Sequence, residues 1–275
     1  MTPFQTIFLG IVQGLTELIP VSSSGHLVIV PYLLGWKLPF QEFFIFNVLV
    51  QVATLAAVIV YFWRDLLYLI GASVVELWRH QPFATFEARL GWYLVLATIP
   101  AGVFGLLFKD FFESMFANPV GVAFFLLITA GLLVLAERIG KGTRPFKSLT
   151  WLDSLWIGFF QVIAILPGVS RSGATISGGL TRKLERPAAA RFAFLMSIPV
   201  MLAAGLLATL DLLKMPNVEQ HLLTFLPGFV AAAVVGYFSI HWMLRFVMHR
   251  SLYVFAVYCT VLSIVTLSFS FFIHP

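Results

Sequence analysis

Two short polar runs interrupt an otherwise apolar chain, and between them they carry the residues that could do chemistry. The first reads Gln13-Gly-Leu-Thr-Glu17-Leu-Ile-Pro-Val-Ser22-Ser23-Ser24-Gly25-His26, the second Pro167-Gly-Val-Ser170-Arg171-Ser172-Gly173-Ala-Thr175. A guanidinium between two serines offers a planar fork that matches phosphate oxygens two at a time. Gln13 and Glu17 stand four residues apart, which puts both on one face of a helix, where their oxygens could hold a cation or a proton. His26, just past the Ser/Gly turn, has the chemistry of a nucleophile or of a base for Ser23 or for water. Plainer readings stand beside these: Glu17 and Arg171 as a structural ion pair, and His26 as a packing or capping residue.

The two runs match each other 148 positions apart. Gly10 falls on Gly158, Gln13 on Gln161, and Ser22, Ser24 and Gly25 on Ser170, Ser172 and Gly173. Ser23 then falls on Arg171, so one copy supplies hydroxyls and an acid where the other supplies the cation. A helix restarting after each Ser-x-Ser-Gly turn presents unpaired N–H groups and a positive dipole end, an anion site when two such ends converge. Ser22, Ser24, Gly25, Ser170, Ser172, Gly173 and Thr175 are the expected phosphate-binding positions, and the glycines permit the turns and a close approach of phosphate.

The elements that must position these residues are membrane helices. Of 275 residues, 60% are hydrophobic and 11% charged, with 29 Phe, and the mean hydropathy is +0.97, which is too apolar for a soluble domain. The net charge of +5 comes from short clusters between apolar runs and reports topology rather than nucleic-acid binding, which is excluded as a function class. Cys259 is the single cysteine, so no intrachain disulfide forms. The first basic residue is Lys37, and residues 1–35 read as part of the fold rather than as a removable leader.

The expected plan is an all-α polytopic membrane protein forming one domain over 1–275, with pseudo-repeats of about 1–147 and 148–275. Residues 4–20 and 26–35 form a helix-loop-helix whose second arm is too short to span, so it dips into the membrane and returns. Spans follow at 43–62, 91–108 and 119–136, with a surface helix and loop over 66–90, a short connection at 109–118 and a basic linker from Arg138 to Lys147. The second half has a broken segment at 152–182 and spans at 190–212, 223–244 and 252–273. Three crossings per half invert the second half relative to the first. Charge tests this: with both broken segments re-entrant, Arg64, Arg79, Arg89, Arg138, Lys141, Arg144, Lys147, Arg182, Lys183, Arg186, Arg191, Arg245 and Arg250 share one side, against Lys37, Lys109 and Lys214. A full crossing by the second broken segment would divide them evenly. The positive-inside rule therefore favours two re-entrant segments meeting near the midplane, with the basic side cytoplasmic and both termini outside.

The two motifs resemble those of the undecaprenyl-diphosphate phosphatases of the bacitracin-resistance type, and the resemblance extends over length, two-half plan and the Phe62-Trp63-Arg64 end of the first span. It implies hydrolysis of a polyprenyl diphosphate, chiefly the C55 lipid carrier of cell-wall synthesis, in the inner membrane with the site opening to the outer face. By matching position it gives Glu17, Ser22, Ser23, His26 and Arg171 active-site assignments. Gln13 stands where the family often has Glu, so a bound Mg²⁺ or Ca²⁺ would have Glu17 and Gln13 as ligands but fewer protein charges. The main rival is a lipid transporter or flippase, since broken helices meeting at the midplane also build carrier sites. A homodimer stays open, because Gly and Ala are spread over several spans without one clean GxxxG face.

Overall fold

The computed structural model describes residues 1–140, 142–213 and 218–273; Lys141 and Lys214 of the charge count lie outside the described residues. Twelve α-helices are seen among these residues. They are α1 (Pro3–Thr16), α2 (Ser23–Leu33), α3 (Phe40–Tyr61), α4 (Trp63–Trp78), α5 (Phe86–Leu107), α6 (Lys109–Met115), α7 (Pro119–Ile139), α8 (Trp151–Ile163), α9 (Arg171–Thr181), α10 (Arg186–Leu213), α11 (Val218–His249) and α12 (Tyr253–Ile273). Six of them, α3, α5, α7, α10, α11 and α12, contain stretches long and apolar enough to cross a membrane. Their outward faces keep side chains such as Val95, Phe124, Phe238 and Val257 exposed, as a lipid-facing surface requires. The connection after α5, a short link by sequence, holds the short helix α6. The surface helix α4 exposes Leu67, Tyr68 and Trp78.

Both broken segments return to the end they start from. Thr2 begins α1 with a capping box, its hydroxyl accepting from the Gln5 N–H while the Gln5 side chain accepts from the Thr2 N–H. Trp36, just past α2, packs edge-on against Phe4 and Phe8 at 6.3 and 5.8 Å, and the Met1 ammonium pairs with Glu42 at the start of α3 at 3.1 Å. The first hairpin therefore opens at the amino-terminal end of the bundle. The second opens at the other end. There Thr150 begins α8 with the same capping box, made with Asp153, and Arg182, just past α9, donates from Nε to Asp153 Oδ1 at 2.7 Å. Arg144 forks onto the same buried carboxylate at 3.1 and 2.6 Å. Arg191 and Arg186, both counted on the basic side, form further pairs with Asp65 and Glu137.

Each first arm is clamped by a long helix of the opposite half. α1 packs along α11, and α8 along α5. Side chains are excluded at these crossings: a Cβ on Gly10 would overlap the Gly228 carbonyl, one on Gly14 would lie 2.8 Å from the Ala232 carbonyl oxygen, and one on Gly158 would lie 2.6 Å from the Ala97 carbonyl oxygen. Gly10 and Gly14 are thus a small-xxx-small pair, spent on contact within the chain.

Candidate active site

The hairpin tips meet inside the bundle. α1 ends at Thr16, earlier than the expected 20, because Pro20 disfavours helix in the residue before it and the chain turns through 17–22. Pro20 matches Gly168 in the repeat alignment, and the two tips turn differently for that reason. Gly168 takes φ +104° in the second tip, whereas proline's φ is locked near −65°. In the first tip the left-handed residue is instead Ser22, with φ 68°, a conformation that costs a non-glycine residue about 1–3 kcal/mol. Gly25 comes within van der Waals range of Gly168: a Cβ on it would lie 3.1 Å from the Gly168 Cα. Ser172 Oγ donates to the Ile19 carbonyl at 3.1 Å, tying the second tip to the first.

Glu17 is the hub. Its Oε2 accepts from Ser23 Oγ at 2.5 Å and from Gln13 Nε2 at 2.6 Å, and its Oε1 is paired with Arg171. Ser23 and Arg171 are the first residues of α2 and α9, so each restarting helix offers its leading side chain to the same carboxylate. One guanidinium nitrogen is spent on Glu17; the others have no acceptor among the described residues. The ion pair of the plainer reading is therefore present, inside a cluster that also holds a hydroxyl and leaves donor capacity on Arg171.

The remaining predicted residues divide by task. Ser22 and Ser170 cap α2 and α9, accepting from the N–H of Gly25 at 3.2 Å and of Gly173 at 3.0 Å. Ser24 and Ser172 stand 3.3 and 3.2 Å from these two hydroxyls. Thr175 Oγ1 donates to the Arg171 carbonyl at 2.7 Å and faces the helix backbone. The N–H groups of the first turn that no cap reaches stay free at both helix starts. His26 makes its ring contacts elsewhere than Glu17: Nδ1 lies 2.7 Å from the Ser22 carbonyl oxygen and Nε2 lies 2.7 Å from Tyr258 Oη. A carbonyl only accepts, so Nδ1 carries the proton and a neutral His26 takes the Tyr258 hydroxyl at Nε2.

Three contributors were missed in the sequence. Tyr258 holds His26 from α12, and Thr54 accepts from Gln13 Nε2 at 3.3 Å. Thr129 of α7 donates to the Gly168 carbonyl and accepts from the Ser170 N–H, both at 2.9 Å. Each is a polar side chain in an apolar span, and no motif marks it as part of the site.

Comparison with known proteins gives the family. The profile of the family described as bacitracin resistance protein BacA matches residues 6–265. An undecaprenyl-diphosphatase of Chlorobaculum parvum is 41% identical over 274 residues, covering 96% of this chain and 95% of the relative. One from Thermomicrobium roseum is 40% identical over 274 residues, covering 97% and 98%, and one from Methanosphaera stadtmanae is 36% identical over 273, covering 96% of each. With both motifs at the junction of its hairpins and these matches running nearly end to end, the chain belongs to the BacA bacitracin resistance family.

Proposed function

We infer that the chain hydrolyses a polyprenyl diphosphate, undecaprenyl diphosphate above all, to the lipid monophosphate and inorganic phosphate, and so recycles a lipid carrier in the cell membrane. One observation carries this reading: Glu17 is bonded at once to the Ser23 hydroxyl and to Arg171. That is a nucleophile with its base, beside a cation with N–H groups to spare. The relatives named undecaprenyl-diphosphatase support the substrate.

Arg171 and the first-turn amides of α2 and α9 hold the terminal phosphate. Glu17 takes the Ser23 proton as Oγ bonds to the terminal phosphorus, the bond from that phosphorus to the bridging oxygen breaks, and the lipid monophosphate leaves. Water then attacks the phosphoserine. A water proton passes through Tyr258 Oη to His26 Nε2, Glu17 returns its proton to Ser23 Oγ as the bond from that oxygen to phosphorus breaks, inorganic phosphate departs, and His26 gives its proton up to water. Binding through preorganised donors supplies the largest share of such catalysis.

A divalent cation, Mg²⁺ or Ca²⁺, fits the donors present. Gln13 Oε1 is buried with no hydrogen-bond partner among the described residues, and Glu17 is the adjoining carboxylate, so both are hard oxygen ligands. When bound, the ion supplies positive charge that Arg171, already matched by Glu17, lacks toward a diphosphate. No group of three or more His, Cys, Asp or Glu gathers among the described residues, so substrate oxygens and water would complete its shell.

The basic end faces the cytoplasm on the positive-inside rule. Both termini and the mouth of the first hairpin then face outward, and the diphosphate enters from the outer face with its tail along the apolar spans. An inverted repeat is supported by the matched capping boxes at Thr2 and Thr150, the matched caps at Ser22 and Ser170, and the opposite mouths of the hairpins. The test is phosphate release from a polyprenyl diphosphate by detergent-solubilised protein, where no compartments exist for transport to act between. Release that EDTA abolishes and Mg²⁺ restores is expected. A protein that binds the lipid but releases nothing would be a carrier.

A further inference from the structure

Hydrolysis consumes water and releases inorganic phosphate, an anion too costly to desolvate for it to cross hydrocarbon, so a buried site needs a polar way out. α3 carries one. Between Phe43 and Val60 its only polar side chains are Asn47, Gln51 and Thr54, and their spacing of four and three residues sets them on one helix face. Thr54 is bonded to Gln13, and Gln13 to Glu17, so the inner end of this stripe touches the site. Its outer end lies toward the start of α3, where Glu42 meets the Met1 ammonium. Asn47 sits seven residues, about 10 Å, nearer that end than Thr54.

Asn47 distinguishes a path from ordinary packing. It is 2% exposed, and neither its Nδ2 nor its Oδ1 has a hydrogen-bond partner among the described residues. An asparagine kept to join two helices would show that bond. Polar groups at membrane depth persist where they meet each other or water. α3 packs on α1, and its Val50 and Ala53, which flank the stripe, share one apolar cluster with Leu9 of α1 and Leu27 of α2, which sets the stripe beside the first hairpin.

We propose that Asn47, Gln51 and Thr54 line the path by which water reaches the Glu17 site, and inorganic phosphate leaves it, through the amino-terminal end of the bundle. The path rests on the hydrolytic reading for its purpose, and its test does not depend on turnover. Single cysteines at Asn47, Gln51, Val52 and Val60 are introduced into a Cys259→Ala background. Val52 packs against Gly205 of α10 and Val60 is on the outer, exposed surface. A charged, membrane-impermeant methanethiosulfonate is applied to sealed vesicles of each orientation. N47C and Q51C are expected to react from the amino-terminal face alone, at least about tenfold faster than V52C and V60C, because the thiolate forms only where water reaches. Millimolar inorganic phosphate should slow both. Rates equal to the controls, or reaction solely from the basic face, overturn the proposal. If N47C does not insert, Q51C, at a half-buried position, decides alone. Labelling in a protein inert toward the diphosphate would keep the path and remove the hydrolytic reading.

Discussion

Glu17 gathers the site because three different elements reach it. Gln13 comes to it along α1, Ser23 from the start of α2 and Arg171 from the start of α9. A carboxylate near the middle of a membrane costs about 2.5 kcal/mol or more on insertion scales, and these three donors offset that cost. Tyr258 acts at one remove, through His26. Removing its hydroxyl leaves Nε2 without a donor while the Nδ1 bond to Ser22 stays. Tyr258→Phe is expected to lower kcat about 3–30-fold with KM little changed, measured as initial rates of phosphate release over a range of lipid concentrations and of pH. An unchanged kcat and pH profile would reduce Tyr258 to packing. The residue types alone made Glu17, Ser23 and Arg171 legible in the sequence, since few other reasons exist to carry them in a membrane segment. Tyr258, Thr54 and Thr129 were not legible, because a single hydroxyl in an apolar span looks the same whether it meets a site or its own backbone.

The hairpins hold their tips in place by what happens at their mouths. The second mouth closes on Asp153, whose buried carboxylate takes Arg144 and Arg182 together. Burial pushes its pKa up, but hydrogen bonds from Arg144, Arg182 and Thr150 outweigh this and hold it down at about 2, against 3.8 for the free group. A carboxyl depressed on folding stabilises the fold above its unfolded pKa and stops doing so as pH falls through the folded value. The contribution is therefore complete above about pH 4 and fades toward pH 2; it amounts to about 1–2 kcal/mol once screening at the partly exposed arginines is allowed for. Asp153→Asn should lower the thermal midpoint in detergent at pH 6, and the gap to wild type should narrow as pH approaches 3. A gap independent of pH would contradict the assignment. Element boundaries were the least legible feature: α1 stops at Thr16 and α5 begins at Phe86 rather than 91, capped by Thr85. The six long apolar helices and the breaks in the two shorter segments were readable, because length, proline and the Ser/Gly turns leave little choice.

Across the whole molecule the site exists only where the two halves meet. Glu17 and Ser23 come from one hairpin and Arg171 from the other, and the hairpins open at opposite ends of the bundle. The charge count points to such an arrangement, since a fully crossing second segment would divide the basic residues evenly; Arg144, Arg182, Arg186 and Arg191 make their ion pairs with Asp153, Glu137 and Asp65. It could not reveal how close the tips come, which depends on Gly25 against Gly168 and on the clamps at Gly10 and Gly158. The most direct measurement compares phosphate release from a polyprenyl diphosphate in detergent by wild type, Ser23→Ala and Arg171→Ala, each first shown to be folded by its thermal transition. A junction that catalyses through both halves predicts release by wild type and a loss of about 100-fold or more in each variant. Folded variants that release phosphate at close to the wild-type rate would contradict it.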